Sequence, residues 1–244
     1  MSTLTARPDL PKRFYTDVTL VEEEEGGFSI RLDGRAVRTP SRAVLSVLAR
    51  AVAEEVAREW RAQGTHIDPA TMPMTRLVNT VLDGVAPDPA SVAEDLGRYA
   101  ETDLLAYRAA EPQRLAAREA EGWDPVMDWA SQRTGQSFAR GVGVMFVAQP
   151  EPTVEALRAL VRAEADPFRL AALHQITTLT GSLLLALAVS RGFLDAERAW
   201  ALAHIDEDWN IEQWGEDAEA QNRRANRFED MRMAALMLDA SRPQ

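Results

Sequence analysis

Phe28-Ser29-Ile30-Arg31-Leu32-Asp33-Gly34-Arg35-Ala36-Val37-Arg38-Thr39-Pro40 decides the fold class, because its apolar period is two rather than 3.6. Phe28, Ile30 and Leu32 fall on one face of a strand, and Ser29 and Arg31 fall on the other. Asp33-Gly34 is a tight hairpin turn, and Gly26-Gly27 upstream is a second, following Tyr15, Val18, Leu20 and the acidic run Glu22 to Glu25. Consecutive hairpins predict a small antiparallel sheet of about three strands, which needs an apolar cover to be stable. The cover begins at Leu48, where Ala49, Val52, Ala53, Val56, Ala57 and Trp60 recur at helical spacing until Gly64.

From there the chain is helical, punctuated by one device. Asp68-Pro69, Asp88-Pro89, Asp124-Pro125 and Asp166-Pro167 each set a capping carboxylate before a proline suited to the first helical position. The expected helices run over Pro73 to Asp83, Pro89 to Tyr107, Pro112 to Glu121, Pro125 to Arg133, Thr153 to Ala165, Pro167 to Arg191, Ala196 to Gln213 and Glu216 to Asp239. Ser137 to Ala148 reads as extended, with glycines that weaken a helix and a Val-Met-Phe-Val run that favours a strand. Gly, Pro and Asp accumulate over residues 64 to 90, which places a boundary there. The expectation is an α+β chain: a β-rich domain with its covering helix over 1–85, then a larger helical domain over 86–244.

Composition narrows function by exclusion. A formal charge of −11 repels a polyphosphate backbone, so nucleic acid is not an expected partner. The chain has no cysteine, which removes disulfides, thiolate zinc sites and a cysteine nucleophile. Lys12 is the only lysine, so Schiff-base chemistry has almost no place to occur. The opening residues lack the apolar core of a secretory signal and the arginine-rich amphipathic helix of an organelle presequence, so no export is expected. Leu170 to Ser190 is uncharged between Arg169 and Arg191, but His174, Gln175, Thr177, Thr178 and Thr180 interrupt it, and it reads as a buried core helix without membrane insertion.

Motifs of catalysis are sparse. His66, His174 and His204 form neither H-x-x-x-H nor H-E-x-x-H, Gly141-x-Gly143 lacks the rest of a dinucleotide fingerprint, and Ser182 lies outside a nucleophile elbow. No cofactor, metal site or catalytic residue is expected on these grounds. Tyr99, Leu104 and Tyr107 read as core positions of an amphipathic helix, and Trp123 and Trp129 read first as packing.

The most unusual stretch is Ala203 to Gln221, in which Asp206, Glu207, Asp208, Glu212, Glu216, Asp217 and Glu219 stand among Trp209 and Trp214 with no basic residue before Arg223. On a helix Ile205, Trp209 and Glu212 share one stripe, while Asp206, Asn210, Gln213 and Asp217 share the next. Two readings are open. Either this is a solvated helix face with two core tryptophans, or it is a binding surface for a protein partner that presents arginines, since Trp anchors and paired Arg–carboxylate contacts dominate interface energies. A carboxylate-metal enzyme is the alternative, with Asp208 and Glu212 at i and i+4 holding a divalent ion, although the Glu-x-x-His pair usual in such bundles is missing.

The order of several short motifs resembles a known family. Arg13-Phe14-Tyr15, Gly26-Gly27-Phe28, Leu32-Asp33-Gly34-Arg35, Arg38-Thr39-Pro40, Glu59-Trp60, Met72-Pro73-Met74-Thr75-Arg76-Leu77, Asn79-Thr80, Arg98-Tyr99, Thr102-Asp103-Leu104-Leu105, Trp123-Asp124-Pro125, Gly181-Ser182-Leu183 and Glu207 through Trp214-Gly215 are similar to the ATP synthase alpha-subunit assembly chaperones, often called the ATP twelve family. The similarity spans about residues 13 to 225. It implies an ATP-independent, non-enzymatic chaperone that holds the free alpha subunit of the F-type ATP synthase until a beta subunit replaces it. It also implies a β-rich N-terminal region before a helical domain, and a bacterial cytoplasmic member, given the short run before Arg13. The family's acidic, Trp-Gly-bearing stretch is tied to function and matches Glu207 to Glu216 here. The expected partner contacts are therefore Asp206, Glu207, Glu212, Glu216 and Asp217, with Trp209 and Trp214 as anchors.

Overall fold

The computed structural model describes residues 10–24, 26–143 and 145–242. The opening segment read for a targeting signal, up to residue 9, and Val144 within the stretch expected to be extended lie outside the described residues. The chain is α+β and forms two compact units, Met1–Asp83 and Gly84–Gln244.

In the first unit the alternating run becomes β2 (Phe28–Leu32), flanked on one side by β1 (Val18–Glu22) and on the other by two short strands, β3 (Arg35–Ala36) and β4 (Ser46–Val47). The sheet thus has four strands rather than three, because β2 is long enough for two partners along one edge. The Asp33-Gly34 turn, both residues at positive φ, pairs Leu32 with Arg35 and Arg31 with Ala36, while on the other edge β1 aligns Val18 with Leu32 and Leu20 with Ile30. Helix α1 (Arg50–Ala62) covers the sheet with Val52, Ala53, Val56 and Ala57, all fully buried, while the Tyr15 hydroxyl donates to the Trp60 carbonyl at 2.6 Å. Glu59, 2% exposed, accepts from the Met74 and Thr75 amides at 2.6 and 2.8 Å and from the Thr75 hydroxyl. It thereby caps α2 (Pro73–Thr80), whose own N-cap residue, Met72, has no side chain able to do so.

The second unit is a helical assembly: α3 (Pro89–Arg98), α4 (Gln113–Thr134), α5 (Glu151–Arg162), α6 (Pro167–Thr180), α7 (Leu183–Ser190), α8 (Ala196–Ala203), α9 (Ile205–Trp214) and α10 (Ala218–Ala240). Every residue of α7 is buried, and α6 packs on both α7 and α10. Among the described residues no helix is long and apolar enough to cross a membrane.

Four expected elements differ. The single helix over Pro167 to Arg191 is two, because Gly181 takes a left-handed conformation at φ +70° and ends α6, and Ser182 opens α7 by accepting from the Leu185 amide. Asp103, fully buried, joins that break by accepting from the Ser182 hydroxyl at 2.8 Å and the Leu184 amide at 2.9 Å. That role explains the second difference: the chain leaves helix at Arg98 and passes through two 3-10 turns so that Asp103 can reach α7, then pairs Tyr107–Arg108 (β5) in parallel with Gly141–Val142 (β6). Among the described residues, the extended stretch from Ser137 contributes only that two-residue strand.

Third, the two helices expected around Asp124-Pro125 are one. Pro125 sits on the exposed side of α4, and the buried stripe Trp123, Val126, Met127 and Ala130 continues through it, so tertiary burial outweighs the missing amide. Asp124 does not cap there; it pairs with Arg108 at 2.8 Å. Asp68, Asp88 and Asp166 do cap as expected, although Asp68 opens only a 3-10 turn. Fourth, the run from Ala196 breaks at His204 into α8 and α9, with the His204 Nδ1 held at 2.8 Å from the Trp200 carbonyl.

Candidate functional site

The acidic stretch forms α9 and the turn into α10. His204, the residue before α9, is buried and offers no capping oxygen, while Asp206, Glu207 and Asp208 fill the first turn, where negative charge is favoured by the helix dipole. Gly215 ends the helix. Asp217 then caps α10 by accepting from the Glu219 and Ala220 amides at 2.8 and 2.9 Å, bonds that hold its carboxyl below the usual range, the Ala220 amide first.

The stripe of Ile205, Trp209 and Glu212, which share one face by their spacing, lies against α4. Ile205 is buried, and Trp209 is half-buried with the guanidinium carbons of Arg118 and Arg114 at 5.4 and 6.0 Å from its ring centroid. Glu212 receives both terminal nitrogens of Arg118, at 2.8 and 3.0 Å. That fork lowers the Glu212 carboxyl and raises the Arg118 guanidinium, as expected for one bidentate pair.

The expectation of an acidic face without basic neighbours is thus corrected. Arginines absent from the stretch reach it from other helices: Arg118 from α4, far back in the sequence, to Glu212, and Arg224 from the following helix α10 to Asp208 at 2.5 Å. Asp208 and Glu212, which the alternative reading pairs around a divalent ion, each face an arginine instead. Among the described residues no group of three or more His, Asp or Glu side chains stands where it could hold a metal. Asp206 is exposed in the first turn of α9, and its charge adds to the rise that burial gives the carboxyl of Glu119 on α4. Glu207 has its Oε2 3.8 Å from His204 Nε2 and is 43% exposed in its side chain. Burial lowers the His204 pKa, so its ring is neutral near pH 7 and that contact is no full ion pair.

Trp214 behaves differently from Trp209. It is 87% exposed at the last position of α9, directly before the exposed Gly215 and Glu216. Beside it, an open pocket of about 540 Å³ lies between α9 and α10, lined among others by Trp200, Ile211, Phe228, Asp208, Glu212 and Glu216. The surface therefore combines an aromatic pocket, a protruding indole and carboxylates, some of them already bonded to arginine.

A family profile described as "ATP12 chaperone protein" matches residues 12–131. The crystal structure of Atp12 from Paracoccus denitrificans is 43% identical, with a TM-score of 0.85 over 95% of this chain and 99% of that one. The chain belongs to the ATP12 chaperone family. A crystal structure of an Agrobacterium tumefaciens protein is 49% identical, with a TM-score of 0.89 over 96% of this chain and 87% of that one. The mitochondrial protein atp12 of Schizosaccharomyces pombe is 25% identical over 221 residues, 85% of this chain and 75% of that protein. Membership makes this an ATP12-family chaperone of ATP synthase assembly.

Sequence reasoning found the acidic helix of this ATP12 member but missed Arg114, Arg118, Glu119 and Arg224. The Arg114/Arg118 spacing of i, i+4 marks one helix face, yet nothing local says that α9 lies against it.

Proposed function

We propose that the chain is a non-catalytic, ATP-independent chaperone of the bacterial cytoplasm that binds the free alpha subunit of the F-type ATP synthase catalytic sector. It masks that subunit's beta-facing surface and hands it on for assembly. The observation that carries this reading is the 87% exposed indole of Trp214 beside Glu216 on an acidic helix of an ATP12-family chain. An exposed indole is free to bury itself in a partner as an anchor, and carboxylates around it draw in a partner's arginines and set register.

Trp214, Glu207 and Glu216 are the first contacts in this reading. Asp206, Glu212, Asp217 and Trp209 form the supporting layer, and a client guanidinium could displace Arg118 from Glu212, because an exposed ion pair exchanges partners at little cost. Contacts of this kind make capture fast and salt-dependent, and the beta subunit wins by burying more surface.

Titration calorimetry of the chain with isolated alpha subunit tests it. A complex is expected that weakens with added salt, and Trp214→Ala, or Glu207→Lys with Glu216→Lys, should reduce affinity by about tenfold or more while circular dichroism stays unchanged. Absence of a complex at moderate salt, or full affinity after the charge reversal, would overturn the proposal.

A further inference from the structure

The N-terminal unit carries a concave surface of its own. An open pocket of about 580 Å³ lies beside β3, lined among others by Phe14, Val37, Trp60, Asp33, Arg35 and Arg38, all within the first compact unit. Phe14 is 73% exposed, yet the backbone on both sides of it is held in place. The Arg13 amide donates to the Thr65 carbonyl at 3.0 Å, and the Thr16 and Asp17 amides donate to Asp33 Oδ1 at 3.1 and 2.8 Å. The Phe14 ring meets Tyr15 edge-on with 5.4 Å between centroids, and Tyr15 meets Trp60 in the same way at 5.7 Å. An aromatic ring presented on a pinned backbone needs little further ordering when a partner covers it.

The charge of the pocket has the sign opposite to that of the chain. Two arginines line it against one carboxylate, on a chain of formal charge −11. That carboxylate, Asp33, is committed to the Thr16 and Asp17 amides. Arg38 donates to the Arg42 carbonyl at 2.8 Å, and among the described residues neither it nor Arg35 has a carboxylate partner. Arg31 on β2, by contrast, is paired with Glu23 at 3.3 Å.

We propose that this pocket binds an acidic segment of a partner protein. An apolar side chain of the segment seats against Phe14, Val37 and Trp60, and the carboxylates flanking it reach Arg35 and Arg38. The volume is that of a small-ligand site, enough for one large side chain and its immediate neighbours. A nucleic acid or an anionic membrane fits less well, because an extended polyanion also meets the acidic remainder of the chain, whereas a short segment meets only the pocket. The proposal is independent of the reading of α9, since a basic pocket and an acidic helix draw segments of opposite charge.

Fluorescence polarisation tests it, with the intact chain titrated into a labelled, end-blocked pentapeptide in which phenylalanine is flanked on each side by two glutamates. Saturable binding that weakens with added salt is expected, and the same peptide with glutamine for glutamate should bind about tenfold more weakly. Arg35→Glu with Arg38→Glu should lower affinity by about tenfold or more, and Phe14→Ala by about fivefold, with circular dichroism unchanged because all three side chains are exposed. No saturable binding, equal binding of the glutamine peptide, or full affinity after the charge reversal would overturn the proposal. Sedimentation of the chain alone is the further check: self-association that the charge reversal abolishes would make the occupant a second copy of this chain and overturn the assignment to a separate partner. No alpha subunit is present in these measurements, so failure of the peptide leaves the reading of α9 standing, and failure of alpha-subunit binding leaves the peptide result standing.

Discussion

The junction between α6 and α7 and the surface of α9 both depend on carboxylates, and they use them in opposite ways. At the junction Asp103 is fully buried and meets only backbone amides and a hydroxyl, from Leu105, Leu184 and Ser182. On α9 the carboxylates of Asp208 and Glu212 are reached by water and meet arginines on long, adjustable side chains. Fixed donors that cannot follow a moving partner make a structural site, whereas exposed pairs that rearrange at low cost make a surface suited to reversible binding. Glu59 in the N-terminal unit repeats the first pattern, buried and holding the start of α2.

The comparison breaks most directly at Asp103. Asp103→Ala leaves two buried amides and the Ser182 hydroxyl without their acceptor, and should cost about 4 kcal/mol of unfolding free energy, measured by denaturant titration of the intact chain. A loss no larger than that of a typical surface substitution would place the junction in the same class as α9.

The next effect is one of pH. Burial raises the Asp103 carboxyl from its ordinary 3.8 to about 6, so over that interval the folded chain holds a proton that the unfolded chain has released. Its contribution is fully present below 3.8 and is lost as pH rises through about 6. Asp103→Asn cannot titrate, so the stability gap between wild type and this variant should widen on acidification from neutral pH, by up to about 3 kcal/mol. A gap that narrows in acid would show that the native site favours the ionised form.

At the small end stands Trp214. Removing an indole that is 87% exposed should change stability by less than about 0.5 kcal/mol, although the same change should weaken client binding. A large loss on Trp214→Ala would mean that the ring packs in the native state and cannot serve as a free anchor.

Much of this architecture was legible along the chain. Alternation over Phe28 to Leu32 and the Asp33-Gly34 turn predict the sheet, because strand period and turn geometry are local properties. The Asp-Pro caps at Asp88 and Asp166 mark helix starts for the same reason. Asp124-Pro125 misleads because the buried stripe of Trp123, Val126 and Met127 keeps α4 continuous, and that stripe is satisfied by neighbours the local sequence does not name. Within the acidic stretch, charge and aromatic content were readable, but which acids remain available was not.

The sequence by itself determined the α+β class, the acidity of the α9 segment and its family resemblance, since each is written in residue types and short spacings. Only the tertiary structure decided that Arg118 and Arg224 engage Glu212 and Asp208, and that of two tryptophans five residues apart one packs and the other projects. The physical reason is reach. An ion pair or a buried contact depends on which side chains converge in space, and the partners of α9 lie on α4 and α10, brought beside it by the packing of the whole helical unit.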